Sequence, residues 1–560
     1  MEWTTACPDW ERRILSRQSL IPFPPLYRDE AEEALDLFKS LRVVDVPGQP
    51  TFGECCEQWV FDFVAAIFGA YDAETGNQKI REFFLLISKK NSKSTIAAGI
   101  MVTALVRNWR ENEELLILAP TIEVAQNSYK PAAAMVRADP VLNEMLLVQD
   151  HLRTITHLNT KAALKVVAAD TDTVSGKKAG RILVDELWIF GKRPNADAML
   201  MEATGGQISR DEGFVIFLST QSDDPPAGVF KEKLDYYRDV RDGKIQDKKS
   251  LGVLYEFPKA MIDSEEYLLP QHFYVTNPNM GRSVSREWLE DQMNKESQKE
   301  PGRRRVFLAK HLNIQIGMNL RADRWAGADF WEAAGKVQKV TLRQLIKRCE
   351  VIDIGIDGGG LDDLLGLAAV GRDAETRQWL VWTRAWAHPS VLERRKSEAP
   401  RFHDFAKDGD LILVDRIGQD VDDVADLVLE VYESGLLDMV GIDPAGVGAI
   451  LDALIAVGVP QALVIGVSQG WRLGGAIKTT ERRLAEGGLV HGGQPMMAWC
   501  CGNAKVVPAG NSILITKQAS GTAKIDPLMA LFNAVELMSR NPVARGNVDD
   551  FFDDPIMAGL

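Results

Sequence analysis

Phe83-Phe84-Leu85-Leu86-Ile87-Ser88-Lys89-Lys90-Asn91-Ser92-Lys93-Ser94-Thr95 runs directly into Ile96-Ala97-Ala98-Gly99-Ile100-Met101. The apolar run Phe83 to Ile87 reads as a buried strand, and Ile96 to Met101 as the start of a helix. Strand, loop, Lys-Ser, helix is the layout that cradles phosphate. Loop N–H groups and the helix N-terminus bind phosphate oxygens, the lysine reaches the terminal phosphates, and the serine hydroxyl ligates Mg²⁺. On that reading Ser88, Lys89, Lys90, Asn91, Ser92, Lys93, Ser94 and Thr95 bind ATP, and Ser94 also meets its Mg²⁺. The loop departs from the usual pattern, with Ile87 at the first glycine position and Ser92 at the second. A Lys-Ser pair at a helix start also serves as plain capping, so the loop alone leaves both readings open.

Two further strands narrow the choice. Arg181-Ile182-Leu183-Val184 ends in Asp185-Glu186. Side chains alternate along a strand, so the two carboxylates point in different directions. That suits two tasks, Asp185 in the Mg²⁺ shell and Glu186 polarising an attacking water. The bland alternative is a strand closing in a solvated acidic turn. Phe214-Val215-Ile216-Phe217-Leu218 runs into Ser219-Thr220-Gln221, whose polar side chains, Thr220 among them, are placed to sense the γ-phosphate. Three apolar strands that each end in matching chemistry favour an ATPase.

Composition sets the frame. At 560 residues the chain holds two to four domains. A hydrophobic content of 46% and a charged content of 26% belong to an ordinary globular protein. There is no apolar run long enough to span a bilayer, and Met1-Glu2-Trp3-Thr4 does not open a signal peptide. The six cysteines form no CxxC pair, which argues against a zinc site or disulfide framework and fits a reducing cytosol. A net charge of -14 argues against a protein that coats nucleic acid, but not against one that grips DNA through a local basic face.

Strands and helices alternate from about Glu54 onward, with Leu115 to Thr121 a strand and about Val124 to Arg137 a helix. This predicts a mainly parallel sheet with helices on both faces. The expected organisation is a helical lead-in over 1–40, a P-loop ATPase domain over 41–255, a linker subdomain over 256–340, a second domain over 341–540 and an acidic tail over 541–560. The linker carries the turn Asn277-Pro278-Asn279, a helix from Arg286 to Lys299, and Arg303-Arg304-Arg305. That triplet reads as a solvated helix face or a DNA contact. The tail carries Asp549-Asp550-Phe551-Phe552-Asp553-Asp554.

The second domain opens with Val351 to Asp357, which alternates as a strand and ends in Gly358-Gly359-Gly360, followed by Asp362 and Asp363. Leu364 to Val370 and Gln378 to Thr383 continue a meander. Met439 to Ile442 is another apolar strand ending in Asp443, and Lys524-Ile525-Asp526-Pro527 opens a helix over Leu528 to Met538. An acid before Pro at a helix start is a standard cap. Asp357, Asp443 and Asp526 together also read as a converging carboxylate cluster. Such a cluster binds two Mg²⁺ or Mn²⁺ for in-line phosphodiester hydrolysis.

From about Glu54 to Met538 the chain resembles the large terminase subunit of tailed bacteriophages, the DNA-packaging ATPase with a nuclease domain. Glu57-Gln58-Trp59 with Ile67-Phe68-Gly69 is similar to the family's adenine-recognition segment, which places Gln58 on the base. Ser88 to Ser94 is similar to its phosphate loop, commonly Ser-Arg-Lys-Asn-Gly-Lys-Ser; Lys89 and Ser92 depart from it. Asp185-Glu186 resembles the metal and catalytic pair, and Ser219-Thr220-Gln221 the coupling segment. Asp357, Asp443 and Asp526 fall where the nuclease acids fall, and Asp363 matches a further acidic position. His491-Gly492, Trp499 and Asn503 resemble a stretch before the last acid, with His491 read as structural. The resemblance implies an α/β protein: a RecA-like (ASCE) P-loop ATPase domain with a mainly parallel sheet, then an RNase H-like α/β nuclease domain. It implies ATP-driven movement of double-stranded DNA into a procapsid and metal-dependent cutting of concatemers. It implies a homo-oligomeric ring on a portal protein, a small terminase subunit as partner, no membrane, and the cytoplasm of the bacterial host. Motors of this kind need an arginine from the neighbouring subunit at the γ-phosphate; Arg210 is the favoured candidate, with Arg137 second. The alternatives are a helicase-nuclease or resolvase-like repair enzyme, and a catalytically dead prophage remnant.

Overall fold

The computed structural model describes residues 2–168, 179–193, 196–297, 301–316, 325–335, 340–360, 363–396, 398–444, 447–509, 512–515 and 524–545. The chain divides into two compact units, Met1–Ile316 and Gly317–Leu560. The segment expected as a linker over 256–340 is thereby divided, because residues 256–316 pack into the first unit. Asp362, and Asp549 to Asp554 of the expected tail, lie outside the described residues.

The first unit is built on eight strands: β1 (Glu82–Leu86), β2 (Glu114–Ala119), β3 (Leu146–Gln149), β4 (Thr154–His157), β5 (Ala163–Ala168), β6 (Arg181–Val184), β7 (Phe214–Ser219) and β8 (Ser250–Leu254). Their order across the sheet is β8-β1-β7-β6-β2-β5-β4-β3. From β8 to β5 every pairing is parallel, and at one edge the β5-β4 and β4-β3 pairings are antiparallel. The central strands are apolar on both faces because helices cover both, as in parallel sheets generally. Among those helices are α1 (Gln58–Phe68), α2 (Lys93–Val106) and α3 (Ile122–Ala138); a later helix, α4 (Pro301–Leu312), follows β8 in the chain. Thr121 caps α3, its hydroxyl accepting from the Val124 N–H at 3.3 Å. Parallel alignment puts the C-terminal ends of β1, β6 and β7 on one edge, and that edge carries the phosphate loop, Asp185-Glu186 and Thr220.

The second unit holds β9 (Cys349–Gly358), β10 (Leu365–Asp373), β11 (Trp379–Ala387), β12 (Leu411–Leu413), β13 (Leu437–Ile442), β14 (Val464–Gly466) and β15 (Leu489–His491). Its order is β12-β11-β10-β9-β13-β14, with β15 beside β11. The antiparallel β9-β10-β11 meander is the one the sequence predicts, and β13 joins β9 in parallel. The final helix, α5 (Asp526–Met538), lies directly on β9 and β10. Two glycines permit this. A Cβ on Gly355 would stand 2.0 Å from the Ala530 carbonyl oxygen, and one on Gly366 would stand 2.7 Å from the Pro527 nitrogen. This close approach fixes where Asp526 meets the sheet.

Candidate functional site

The phosphate loop folds as the sequence predicts, with two residues in the left-handed region: Lys90 (φ 76°) and Ser92 (φ 60°). Ser92 stands at the N-cap of α2, where a glycine would adopt this conformation without steric strain. Lys93 opens the helix and is 6% exposed. Its Nζ lies 3.7 Å from Glu186 Oε1. The Ser94 hydroxyl donates to Asp185 Oδ2 at 3.1 Å, and the Ser128 hydroxyl from α3 donates to the same oxygen at 3.1 Å. Thr95 follows, half-buried, in the first turn.

Asp185 and Glu186 follow the end of β6 at Val184 and both meet the start of α2, so a turn rather than strand alternation sets their directions. Asp185 is fully buried and accepts the Glu186 N–H on Oδ1 at 2.9 Å. Burial, then the neighbouring Glu186 charge, pushes its carboxyl up to about 6. Glu186 has a left-handed backbone (φ 54°) that swings its side chain toward Lys93. Burial opposes its charge too, but Lys93 and a hydrogen bond from the Trp188 indole outweigh it and hold its carboxyl below the usual range. A lysine, a hydroxyl and two carboxylates in this arrangement suit a nucleotide phosphate with a hard divalent cation.

The loop is braced from residues 276–313. Asn91 Nδ2 donates to Asn277 Oδ1 at 2.9 Å, and Asn91 Oδ1 accepts the Asn279 N–H at 3.1 Å. Ser283 donates to the Lys90 carbonyl at 2.8 Å, and the Lys89 N–H donates to the Lys310 carbonyl at 2.7 Å. The Ser88 N–H donates to the Thr276 carbonyl at 3.4 Å. Ser219, Thr220 and Gln221 are all buried. The Gln221 N–H donates to Asn313 Oδ1 at 3.2 Å.

Gln58 is exposed at the start of α1, where it donates to Asp62 at 2.8 Å. It lines a cavity of about 430 Å³ with Phe23, Arg28, Phe61 and Asp62. Its neighbour Trp59 donates to Asn279 Oδ1 at 2.8 Å, which ties α1 to the Asn91 network.

Arg210 is the candidate for a neighbouring subunit's γ-phosphate. It precedes β7, so it sits at the N-terminal edge of the sheet, roughly 15–20 Å along the strands from Glu186. Its Nε donates to the buried Glu113 at 3.1 Å, beside the Arg110–Glu212 pair. Withdrawing it would weaken the compensation of a buried carboxylate, a costly change. Arg137 pairs with Asp150 through exposed side chains and is the more readily released of the two. Arg304 and Arg305 are half-buried rather than fully solvated, with Arg305 3.9 Å from Asp224.

In the second unit the acids share one sheet edge. Asp357 lies near the end of β9, and Asp443 follows the end of β13, whose Ile442 pairs with Ile356. Asp526 is the first residue of α5, with Ile525 at the N-cap, so it is not the capping residue. A Cβ on Gly358 would lie 3.4 Å from the Asp526 Cβ. Asp357 and Asp526 are buried. Asp363, in the turn after β9, is ion-paired with Lys524. Carboxylates suit Mg²⁺ or Mn²⁺ in chemistry, yet among the described residues no three His, Cys, Asp or Glu side chains stand together as a metal-ligand set. His491 is stacked on Trp331 (3.9 Å between ring centroids), with its Nε2 2.7 Å from the Trp331 carbonyl, a packing role. Asn503 donates to the Lys524 carbonyl at 3.2 Å.

The family model for the terminase large subunit ATPase domain matches residues 58–239, and the model for its endonuclease domain matches residues 252–541. The chain belongs to the terminase large subunit family. It is 25% identical over 502 residues to the terminase large subunit of Enterobacteria phage HK97, which covers 88% of this chain and 93% of that protein. Protein YmfN of Escherichia coli K12 is 24% identical over 320 residues, covering 53% of this chain and 65% of YmfN. The crystal structure of the HK97 large terminase aligns over 90% of this chain and 99% of its own, with 21% identity and a TM-score of 0.47. This terminase is therefore an ATPase and an endonuclease that acts on DNA, with nucleotide and divalent metal in general use. Among the described residues no helix is long and apolar enough to cross a membrane.

Ser128, Trp188, Asn277, Asn279 and Lys310 meet the terminase ATPase edge without having been singled out for it from the sequence. The Asn277-Pro278-Asn279 turn was visible, but its partner Asn91 is 186 residues away. Lys310 had one local signal, a lysine set among Phe307, Leu308 and Leu312 on a helix, all buried.

Proposed function

We propose that this terminase hydrolyses ATP with Mg²⁺ to drive double-stranded DNA into a procapsid, and cuts concatemeric DNA at the Asp357, Asp443 and Asp526 edge. The observation that carries the ATPase half is the constellation of Lys93, Ser94, Asp185 and Glu186 at the C-terminal edge of a parallel sheet. Lys93 clamps the terminal phosphates, Ser94 and Asp185 hold the cation shell, and Glu186 orients the water. Ser88 to Ser92 and Thr95 cradle the phosphates, Gln58 faces the base, and Thr220 reads the γ-phosphate. In the second unit, convergence of two strand ends and a helix start supports Asp357, Asp443 and Asp526 as the acids of phosphodiester hydrolysis. Two bound Mg²⁺ or Mn²⁺ would supply charge stabilisation to the attacking and leaving oxygens. Asp363, held by Lys524, acts from the periphery of that group. The working form is a homo-oligomeric ring on a portal protein, with a small terminase subunit selecting DNA in the host cytoplasm.

Packaging into purified procapsids tests the reading. Wild type should protect DNA from added nuclease, and Lys93→Ala should protect none. Protection by Lys93→Ala equal to wild type would overturn it.

A further inference from the structure

Lys310 is an unusual side chain for its position. It lies in the last turn of α4 and is 8% exposed. Its Nζ donates to the Gln221 carbonyl at 2.8 Å and sits 2.9 Å from the centroid of the Trp188 ring. The indole Nε1 of Trp188 in turn donates to Glu186 Oε2, while Lys93 faces Oε1 of the same carboxylate. Each oxygen of Glu186 is therefore approached by a different donor group, and one of the two donors is itself held by Lys310. The backbone of Lys310 is fixed as well, since its carbonyl accepts the Lys89 N–H of the phosphate loop.

We propose that Lys310 is a positioning residue for ATP hydrolysis: through the Trp188 indole it holds the Glu186 carboxylate in the orientation that activates water. The proposal rests on the reading of Glu186 as the water-orienting group. A cation over an indole face is attracted by the ring quadrupole, most strongly where water is excluded. Burial pushes the Lys310 ammonium down to about 7, opposed by Asp223 and Glu186. A lysine at that burial persists where its contacts hold it, and here they are Gln221 of the coupling segment and the ring beside Glu186. The same turn thus touches the phosphate loop, the coupling segment and the ring that binds the catalytic carboxylate.

The test is steady-state ATPase kinetics on the full chain for Lys310→Met, Lys310→Arg, Trp188→Phe and Glu186→Gln, with binding of an ATP analogue measured alongside. A small displacement of a catalytic group costs about 10²-fold in rate. Lys310→Met and Trp188→Phe should therefore lower kcat by about 10- to 100-fold while KM for ATP stays within about threefold. Lys310→Arg, which keeps a cation over the ring, should recover most of the rate. The Lys310→Met/Trp188→Phe double variant should be no slower than the slower single one. Wild-type kcat in Lys310→Met and Trp188→Phe, with Glu186→Gln inactive, overturns the proposal and leaves the Glu186 reading standing. Full activity in Glu186→Gln overturns that reading instead, and the proposal with it. A rate loss in Lys310→Met matched by an equal loss of ATP-analogue binding assigns a purely structural role and also overturns the proposal.

Discussion

The two units place acids at strand ends in different electrostatic settings. At the first, the chain supplies its own counter-charge and donors: Lys93 faces Glu186, and two hydroxyls hold Asp185. At the second, Asp357, Asp443 and Asp526 reach one edge from three distant segments, and the lysine nearby pairs with Asp363. Opposite charges and hydroxyl donors hold the side chains of the first edge in place. The first edge is accordingly organised at the level of side chains. The second is organised at the level of backbone, by strand pairing and by the seat that Gly355 and Gly366 give α5.

The largest effect that follows is on ATP turnover. Lys93→Ala and Glu186→Gln should each lower it by at least about 10²- to 10³-fold, because each removes charge placed for the transition state. Glu186→Gln should still bind an ATP analogue. Near-normal hydrolysis in Glu186→Gln would break the contrast, since the first edge would then be ordered without serving catalysis.

A smaller effect concerns buried acids away from either edge. Asp353, on β9, is fully buried, with Oδ1 accepting the Met439 N–H at 3.2 Å. Burial, then the charge of Asp438, pushes its carboxyl up to about 8. The folded state keeps a proton that the unfolded chain releases above the ordinary carboxylate range. Its contribution is therefore complete below about pH 4 and is lost progressively as pH rises to about 8. Asp353→Asn should flatten this dependence, so that its thermal midpoint gains on wild type between pH 5 and pH 8, as measured by circular dichroism at about six pH values. A constant difference across that range would place the pH sensitivity elsewhere.

The smallest effect is at Ser92. A left-handed non-glycine residue costs roughly 1–2 kcal/mol, and glycine returns about 0.5–1 kcal/mol of that through unfolded-chain entropy. Ser92→Gly should therefore stabilise the first unit by about 0.5–1 kcal/mol in denaturant titration, with ATP turnover retained. Destabilisation would mean that the serine side chain contributes more than the backbone loses.

Much of this was legible in the sequence because it is local. Phe83 to Thr95 and Arg181 to Glu186 carry an apolar run and its polar terminus in one stretch, and parallel pairing then brings those termini to one edge. The antiparallel β3–β4 edge was not foreseen, since Leu146 to Gln149 and Thr154 to His157 alternate too briefly to stand out. Lys310 and Trp188 escaped because their meaning lies in contacts between segments: 124 or so positions separate Lys310 from Glu186, and no spacing rule spans that. The pairing of Arg210 with Glu113 lay equally out of reach, since 97 positions separate them.

The central claim is that one chain carries two separable active sites. It is tested most directly by measuring ATP turnover and metal-dependent cleavage of plasmid DNA in parallel for Lys93→Ala, Asp357→Asn, Asp443→Asn and Asp526→Asn. The predicted result is that each Asp→Asn variant loses cleavage but keeps ATP turnover within a few-fold of wild type, while Lys93→Ala loses ATP turnover. Retained cleavage in all three Asp→Asn variants would contradict the account.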